Sequence, residues 1–281
     1  MNIQLSDHFN YKKLFLFTLP SVVMMVFTSV YCVVDGFFVS NFAGKTAFAA
    51  INLIMPFIMI LGGIGFMIGT GGSALVSYTL GTGDKEKANR YFSMLVYFTI
   101  LAGILLTVLG IIFVRPIAEL FGADESMMDT CVLYGRIVIA FNAAFMLQNI
   151  FQSFFVVAEK PRLGLIVTIA AGVTNMVLDA LFVGVFKWGT VGAALATGIS
   201  QSIGGLLPLL YFALPNNSPL QLTRTGFELA PLLKASSNGC SELMSNVASS
   251  LIGIVYNYQL MRLGGENAVA TYGVLMYICL L

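Results

Sequence analysis

Three acidic residues lie inside long apolar stretches of this chain: Asp35, Asp179 and Glu242. An aspartate at the centre of a membrane-spanning helix costs on the order of 2.5–3.5 kcal/mol, so each needs a compensating role. Helical spacing groups each acid with polar neighbours. Tyr31 stands one turn and Thr28 two turns before Asp35, Asn175 stands four residues before Asp179, and Ser241 and Ser245 accompany Glu242. Thr174, and Thr197 with Gln201 four residues on, extend the set. Carboxylate, amide and hydroxyl oxygens suit a hard cation, and a carboxylate withdrawn from water takes a proton more readily. The expected chemistry is reversible binding of Na+ or H+ in an oxygen-lined pocket between the first, fifth and sixth helices. Two plainer readings compete: Asp35 reaches water past Ser40 and Asn41, and Asp179 makes an ordinary interhelical hydrogen bond.

Other candidate chemistry is weaker. The single histidine, His8, precedes the first apolar run, which leaves a zinc centre or a Ser-His-Asp triad without a base. Cys32, Cys131, Cys240 and Cys279 are widely separated and read as small hydrophobes. No acid–base or metal set converges, so no enzyme and no cofactor beyond the coupling ion is expected. The glycines Gly62, Gly63, Gly65, Gly69, Gly71 and Gly72 lack the Lys-Ser or Lys-Thr of a phosphate loop and read as a packing surface or a bend. Asn142, Gln148, Asn149 and Gln152 give the fourth helix an inward polar face, and Pro20 is expected to bend the first. Met24, Met25, Met55, Met59 and Met67 would suit an adaptable pocket or a lipid-facing surface equally well.

The elements that must position these residues follow from composition. Of 281 residues, 58% are hydrophobic and 10% charged, more apolar surface than one water-soluble core can hide. A net charge of +1 offers no basic track for nucleic acid. At about 20 apolar residues per span, helices are expected near Leu14 to Phe42, Phe48 to Leu80, Tyr91 to Arg115, Met128 to Val157, Leu163 to Phe186, Val191 to Leu214 and Leu232 to Met261. An eighth begins near Asn267 and is still running at Leu281, as expected of a truncated second unit. The first run lacks a small-residue cleavage site and reads as a retained span. Lys12, Lys13, Lys85, Lys87, Arg90, Lys160, Arg162, Arg224 and Lys234 fall on one side. Acidic Glu119, Asp124, Glu125 and Asp129 fall on the other, with fewer cations, which predicts a cytoplasmic N-terminus in a multi-pass plasma-membrane protein. The Pro215–Glu228 segment is the candidate boundary, dividing a lobe over 1–214 from a loop over 215–230 and the start of a second lobe over 231–281.

An internal repeat supports that division. Residues 42–55 align without gaps on residues 263–276, pairing Gly44 with Gly265, Ala47 with Ala268, Ala49 with Ala270 and Met55 with Met276. Parallel repeats are common in secondary transporters.

With Pro20 and Asp35 followed by Gly44, the Leu80-Gly-Thr-Gly-Asp84 turn, and Asn175-Met-Val-Leu-Asp179 continuing to Gly189-Thr-Val-Gly-Ala-Ala-Leu-Ala-Thr197 and Gln201, the chain resembles the multidrug and toxic compound extrusion (MATE) transporters. The resemblance covers essentially the whole chain, but roughly the first seven or eight of about twelve family spans by the same length arithmetic. It implies an all-α integral membrane fold: a six-helix lobe plus the first one to two helices of a second, with a missing C-terminal lobe as partner. Such lobes rock about a central cavity and export small cationic or amphipathic compounds in exchange for H+ or Na+. Residue by residue, Asp35, Asn175, Asp179 and Thr197 match the family's cation site, and Pro20 its helix-bending proline. Gln201, Glu242, Tyr31 and Asn149 are carried as substrate or coupling candidates. A lipid-linked sugar flippase of related fold would need a more cationic cavity, whereas here the basic residues sit in loops. A truncated membrane product without transport is the remaining alternative.

Overall fold

Side chains that close a first helical turn mark where several helices begin. In the computed structural model, which describes residues 10–279 and side chains through residue 276, Asn10 accepts the N–H of Lys13 (2.8 Å) at the head of α1 (Tyr11–Phe38). Asp84 caps α3 (Lys85–Leu120) through Lys87 N–H (3.0 Å), and Asp124 caps α4 (Glu125–Ala140) through Met127 N–H (3.0 Å). Pro161, whose missing N–H is no loss in a first turn, opens α6 (Pro161–Asp179). The remaining helices are α2 (Lys45–Gly81), α5 (Asn142–Val157), α7 (Gly189–Ala213) and α8 (Leu229–Cys279). His8 lies outside the described residues, as does the side chain of Cys279.

The described residues contain helices and no strand. Five helices are long and apolar enough to cross a bilayer, and α4 with α5 makes a sixth. The chain is thus an all-α, multi-pass membrane protein. Two expectations change. The fourth span is two helices bent by 53° at Phe141, where the Phe141 N–H bonds the Val138 carbonyl and its ring seats against Gly198 of α7. The seventh and eighth helices are separate, as expected: α8 reverses at Gly265, so that residues 266–279 fold back on residues 229–264 and the Tyr256 and Tyr272 rings stack at 5.5 Å. The first arm of α8 is not among the segments apolar enough to span by composition, because Ser236, Asn238, Ser241, Glu242, Ser245, Asn246 and Ser249 interrupt it.

The aligned glycines share a backbone geometry. Gly44, between α1 and α2, has φ 93° and ψ 168°; Gly265 has φ 61° and ψ −155°. Both fall where a side chain is strained and glycine is not, so the repeat seen in sequence is a repeat of the turn.

Packing divides the core into two clusters. One joins Phe48, Leu53, Ile54, Tyr134, Ile139, Val183 and Val269. The other gathers Phe92, Phe151, Phe154, Phe212 and Leu220. There Phe92 meets Phe154 at 4.8 Å and Phe212 at 5.1 Å, edge to face, and each such pair contributes about 0.5–1.5 kcal/mol beyond burial. Lipid tails supply no hydrophobic drive between helices, so close approach matters most. The glycines of α2 provide it, against Met146 at Gly65, Asn149 and Ile150 at Gly69, and α8 at Gly71, where a Cβ would collide with the Ala235 carbonyl. Gly239 of α8 reciprocates, meeting the Met67 carbonyl. The segment between α7 and α8 is no free loop. Gln221 N–H bonds Asn89 Oδ1 (3.0 Å), Thr223 N–H bonds Ser93 Oγ (2.8 Å), and Leu220 is fully buried, strapping it to α3.

Candidate functional site

Asp35 sits in the last turns of α1 and Asp179 is the last residue of α6. Each helix then widens into a π-helical turn, Val39–Ala43 after α1 and Ala180–Val185 after α6. The extra residue per turn is a local cost that structures keep most often at functional sites. These turns lie beside one another, and α1 packs along α6. Phe27 and Tyr31 close that interface by resting on Gly172, where any Cβ would fall 2.6–2.8 Å from their rings.

The arrangement brings the carboxyl groups of Asp35 and Asp179 against each other. Asp179 is fully buried, Asn175 is 2% exposed one turn behind it, and Asp35, though part-exposed as a residue, has its Oδ1 enclosed. Two facing carboxylates repel unless a proton or a cation lies between them. Asp35 Oδ1, both Asp179 oxygens and, one turn behind, Asn175 Oδ1 receive no hydrogen bond from a neighbouring N–H or O–H; elsewhere, on α5 and α7, the same holds of Gln148 Oε1, Asn142 Oδ1 and Gln201 Oε1. Buried oxygens without donors are costly, and so many acceptors in adjoining helices fit a positively charged guest. Asp179 is withdrawn from water, and the group its carboxyl meets across the α1–α6 interface is the carboxyl of Asp35.

The other candidates divide. Tyr31 stands one turn from Asp35 and approaches Gln148 of α5. Asn149 is 7% exposed with an unpaired Nδ2 on α5, and Gln201 is half-buried on α7. Thr197 is half-buried on α7, and among the described residues no hydrogen bond joins its hydroxyl to either aspartate. Two hydroxyls expected in the pocket turn to their own helices: Thr174 Oγ1 donates to the Ala170 carbonyl (2.7 Å) and Thr28 Oγ1 to the Met24 carbonyl (2.9 Å). Glu242 is not brought to the pair. It lies on α8, where Asn246 Nδ2 donates to its carbonyl (2.9 Å) and reaches its Oε1 (3.5 Å). Among the described residues, no group of three or more His, Cys, Asp or Glu is placed to hold a transition metal. Pro20 is buried within α1, which continues through it, and it lines a cavity of about 610 Å³ with Leu16, Phe17, Lys160, Arg162 and Tyr211. Sequence reasoning missed one polar residue, Glu266, which joins the two halves of the chain; its place opposite Lys45 in the repeat was the only signal.

Long apolar helices, a broken span and two facing carboxyl groups inside the bundle define a multi-pass α-helical membrane protein with an intramembrane polar cluster. A MatE family profile matches residues 20–181, more than half of the sequence, and the chain belongs to the MATE family. It is similar to the multidrug export protein MepA of Staphylococcus saprophyticus, at 25% identity over 267 residues, covering 94% of this chain and 58% of the relative. MepA of Staphylococcus aureus MRSA252 is likewise 25% identical over 269 residues. The chain thus spans under two thirds of the length of these relatives. Its fold matches a multidrug resistance MATE transporter of the MOP superfamily in the inward-facing conformation with a TM-score of 0.84, at 21% identity over 89% of this chain and 57% of that one. The outward-facing form matches with the same TM-score, at 21% identity, over 95% and 60%.

Proposed function

We propose that this chain forms the cation-coupled part of a secondary active multidrug antiporter, which exports small cationic or amphipathic compounds in exchange for H+ or Na+. The observation that carries the reading is the facing pair Asp35 and Asp179 among buried oxygens without protein donors. The names of the MepA relatives, multidrug export proteins, support export of many compounds. In this reading Asn175 and Thr197 complete the cation shell with the two aspartates. Tyr31, Asn149 and Gln201 border the path of the substrate, and Pro20 sets the bend of α1. Glu242 belongs to the second lobe's face of the cavity. The N-terminus is cytoplasmic, which the distribution of basic residues supports, and the membrane is the plasma membrane. Residues 1–214 form the first lobe, 215–230 the connection and 231–281 the start of a second, whose remainder the greater length of the relatives would supply.

Coupling requires only that cation and drug favour different states of the same bundle. A cation drawn between Asp35 and Asp179 pulls α1 onto α6; its departure leaves the carboxylates repelling and the interface looser. Export of a cationic dye from pump-deficient cells expressing the chain tests this. Export that disappears in Asp35→Asn and in Asp179→Asn supports the reading, and export that survives both changes sinks it.

A further inference from the structure

The two glycine turns that the repeat relates, at Gly44 and Gly265, meet at one end of the bundle, and an acid joins them. Glu266 follows Gly265 directly. Its Oε2 accepts the Thr46 hydroxyl (2.8 Å) from the first turn of α2, and its Oε1 accepts the Ser126 hydroxyl (2.6 Å) from the first turn of α4. One carboxylate therefore ties α8 to two other helices, using both oxygens. We propose that Glu266 is a latch which holds this end of the bundle shut and releases it when α8 swings away from α2 and α4.

Three features make the contact releasable. First, it is reached from water: Ser126 is exposed, and Glu266 and Thr46 are half-buried, so parting exchanges these bonds for hydration. Second, Ser126 has an alternative acceptor. Its Oγ also lies 2.7 Å from Asp124 Oδ1, and a hydroxyl has one proton to donate, so it falls back on the cap of its own helix when Glu266 leaves. Third, the neighbouring contacts are of the sliding kind. The Tyr258 ring lies over Gly122, where a Cβ would be 3.3 Å away, and carries Arg262 at 5.5 Å. The opposite end of the seam is built differently, with the backbones of Gly71 and Gly239 in direct contact and no polar exchange to make. Charge-assisted hydrogen bonds at one end and bare backbone contact at the other give α8 a switchable end and a fixed one.

The chain carries its own reporter. Cys131 is fully buried below Ser126, with its Sγ 3.4 Å from the Ala50 carbonyl, in the same cluster as Val269 of α8. In nanodiscs, with Cys32, Cys240 and Cys279 replaced by alanine, a polar maleimide reads exposure of Cys131 from either face. Glu266→Ala is expected to speed labelling about tenfold, the ratio that losing a hydrogen bond to a charged group gives. Thr46→Val with Ser126→Ala is expected to do the same, with no further gain when combined with Glu266→Ala. Labelling unchanged in Glu266→Ala overturns the latch. Should Glu266→Ala label as fast as detergent-unfolded protein, the hydroxyl variants decide instead, acceleration supporting the latch and an unchanged rate overturning it. The latch rests on the transport reading for its purpose but not for its test: the labelling reads no export. Loss of the Asp179 dependence of export with faster Cys131 labelling would fail the cation site alone, and the reverse would fail the latch alone.

Discussion

The α1–α6 interface and the α2–α8 seam are both close helix contacts that use glycine, yet they are opposites in their polar groups. At α1–α6, Gly172 admits the rings of Phe27 and Tyr31, the helices loosen into π-helical turns, and the carboxylates face each other with their oxygens unclaimed. At α2–α8, Gly71 and Gly239 bring backbone against backbone, Asn257 Nδ2 donates to the Asn52 carbonyl (3.0 Å), and Glu266 is bonded through both oxygens. Asn257 Oδ1 is the one buried side-chain acceptor of the seam without a donor among the described residues. A site that must take up and give back a charge keeps its acceptors free and is weakened by doing so. A seam that carries load fills them.

Substitutions in the two regions should separate activity from stability. The largest effect is expected for Asp179→Asn: export should fall by on the order of 100-fold, as for loss of an essential charge-binding group, while thermal stability in detergent holds or rises because the amide can donate to Asp35. A large loss of stability in that variant would erase the contrast. Gly239→Val should do the reverse in kind, costing about 1–3 kcal/mol by overpacking against the Met67 carbonyl, measured as a lower unfolding temperature. Asn257→Ala should cost less, about 0.6 kcal/mol, the average for interhelical hydrogen bonds in a membrane. The smallest effect is expected for Thr174→Val, whose hydroxyl serves its own helix: export and its cation dependence should stay within about twofold, well under one kcal/mol. A strong effect of Thr174→Val would return that hydroxyl to the cation shell.

Much of this contrast is legible in residue types and spacing. Aspartates inside apolar runs announce themselves by their cost, and Asn175 four residues before Asp179 is a helical neighbour by arithmetic. Gly44 and Gly265 stand out as a pair because a turn needing positive φ leaves glycine little substitute. The bend at Phe141 is not legible, since neither proline nor glycine marks it and the wedge is a ring seated on Gly198, nearly sixty residues away. The π-helical turns leave no compositional trace, and hydroxyl direction at Thr174 depends on a rotamer. Glu266 does not stand out in sequence because an acid at a helix start is the ordinary favourable placement; only the long-range bonds to Thr46 and Ser126 distinguish it. The polar Pro215–Glu228 segment reads as slack connection, but Asn89 and Ser93 claim its backbone.

That strap has a mechanical consequence. Because Thr223 and Gln221 are pinned to α3, and Glu228 N–H lies 3.3 Å from Met94 Sδ, α8 starts from an anchored point and cannot translate as a whole. With Gly239 as fulcrum, the first arm of α8 is a lever: at 1.5 Å per residue its length to the turn at Gly265, which carries Glu266, is about 40 Å. A tilt of about 10° would then carry the far end about 7 Å, enough to part both carboxylate contacts, while residues beside the fulcrum scarcely move.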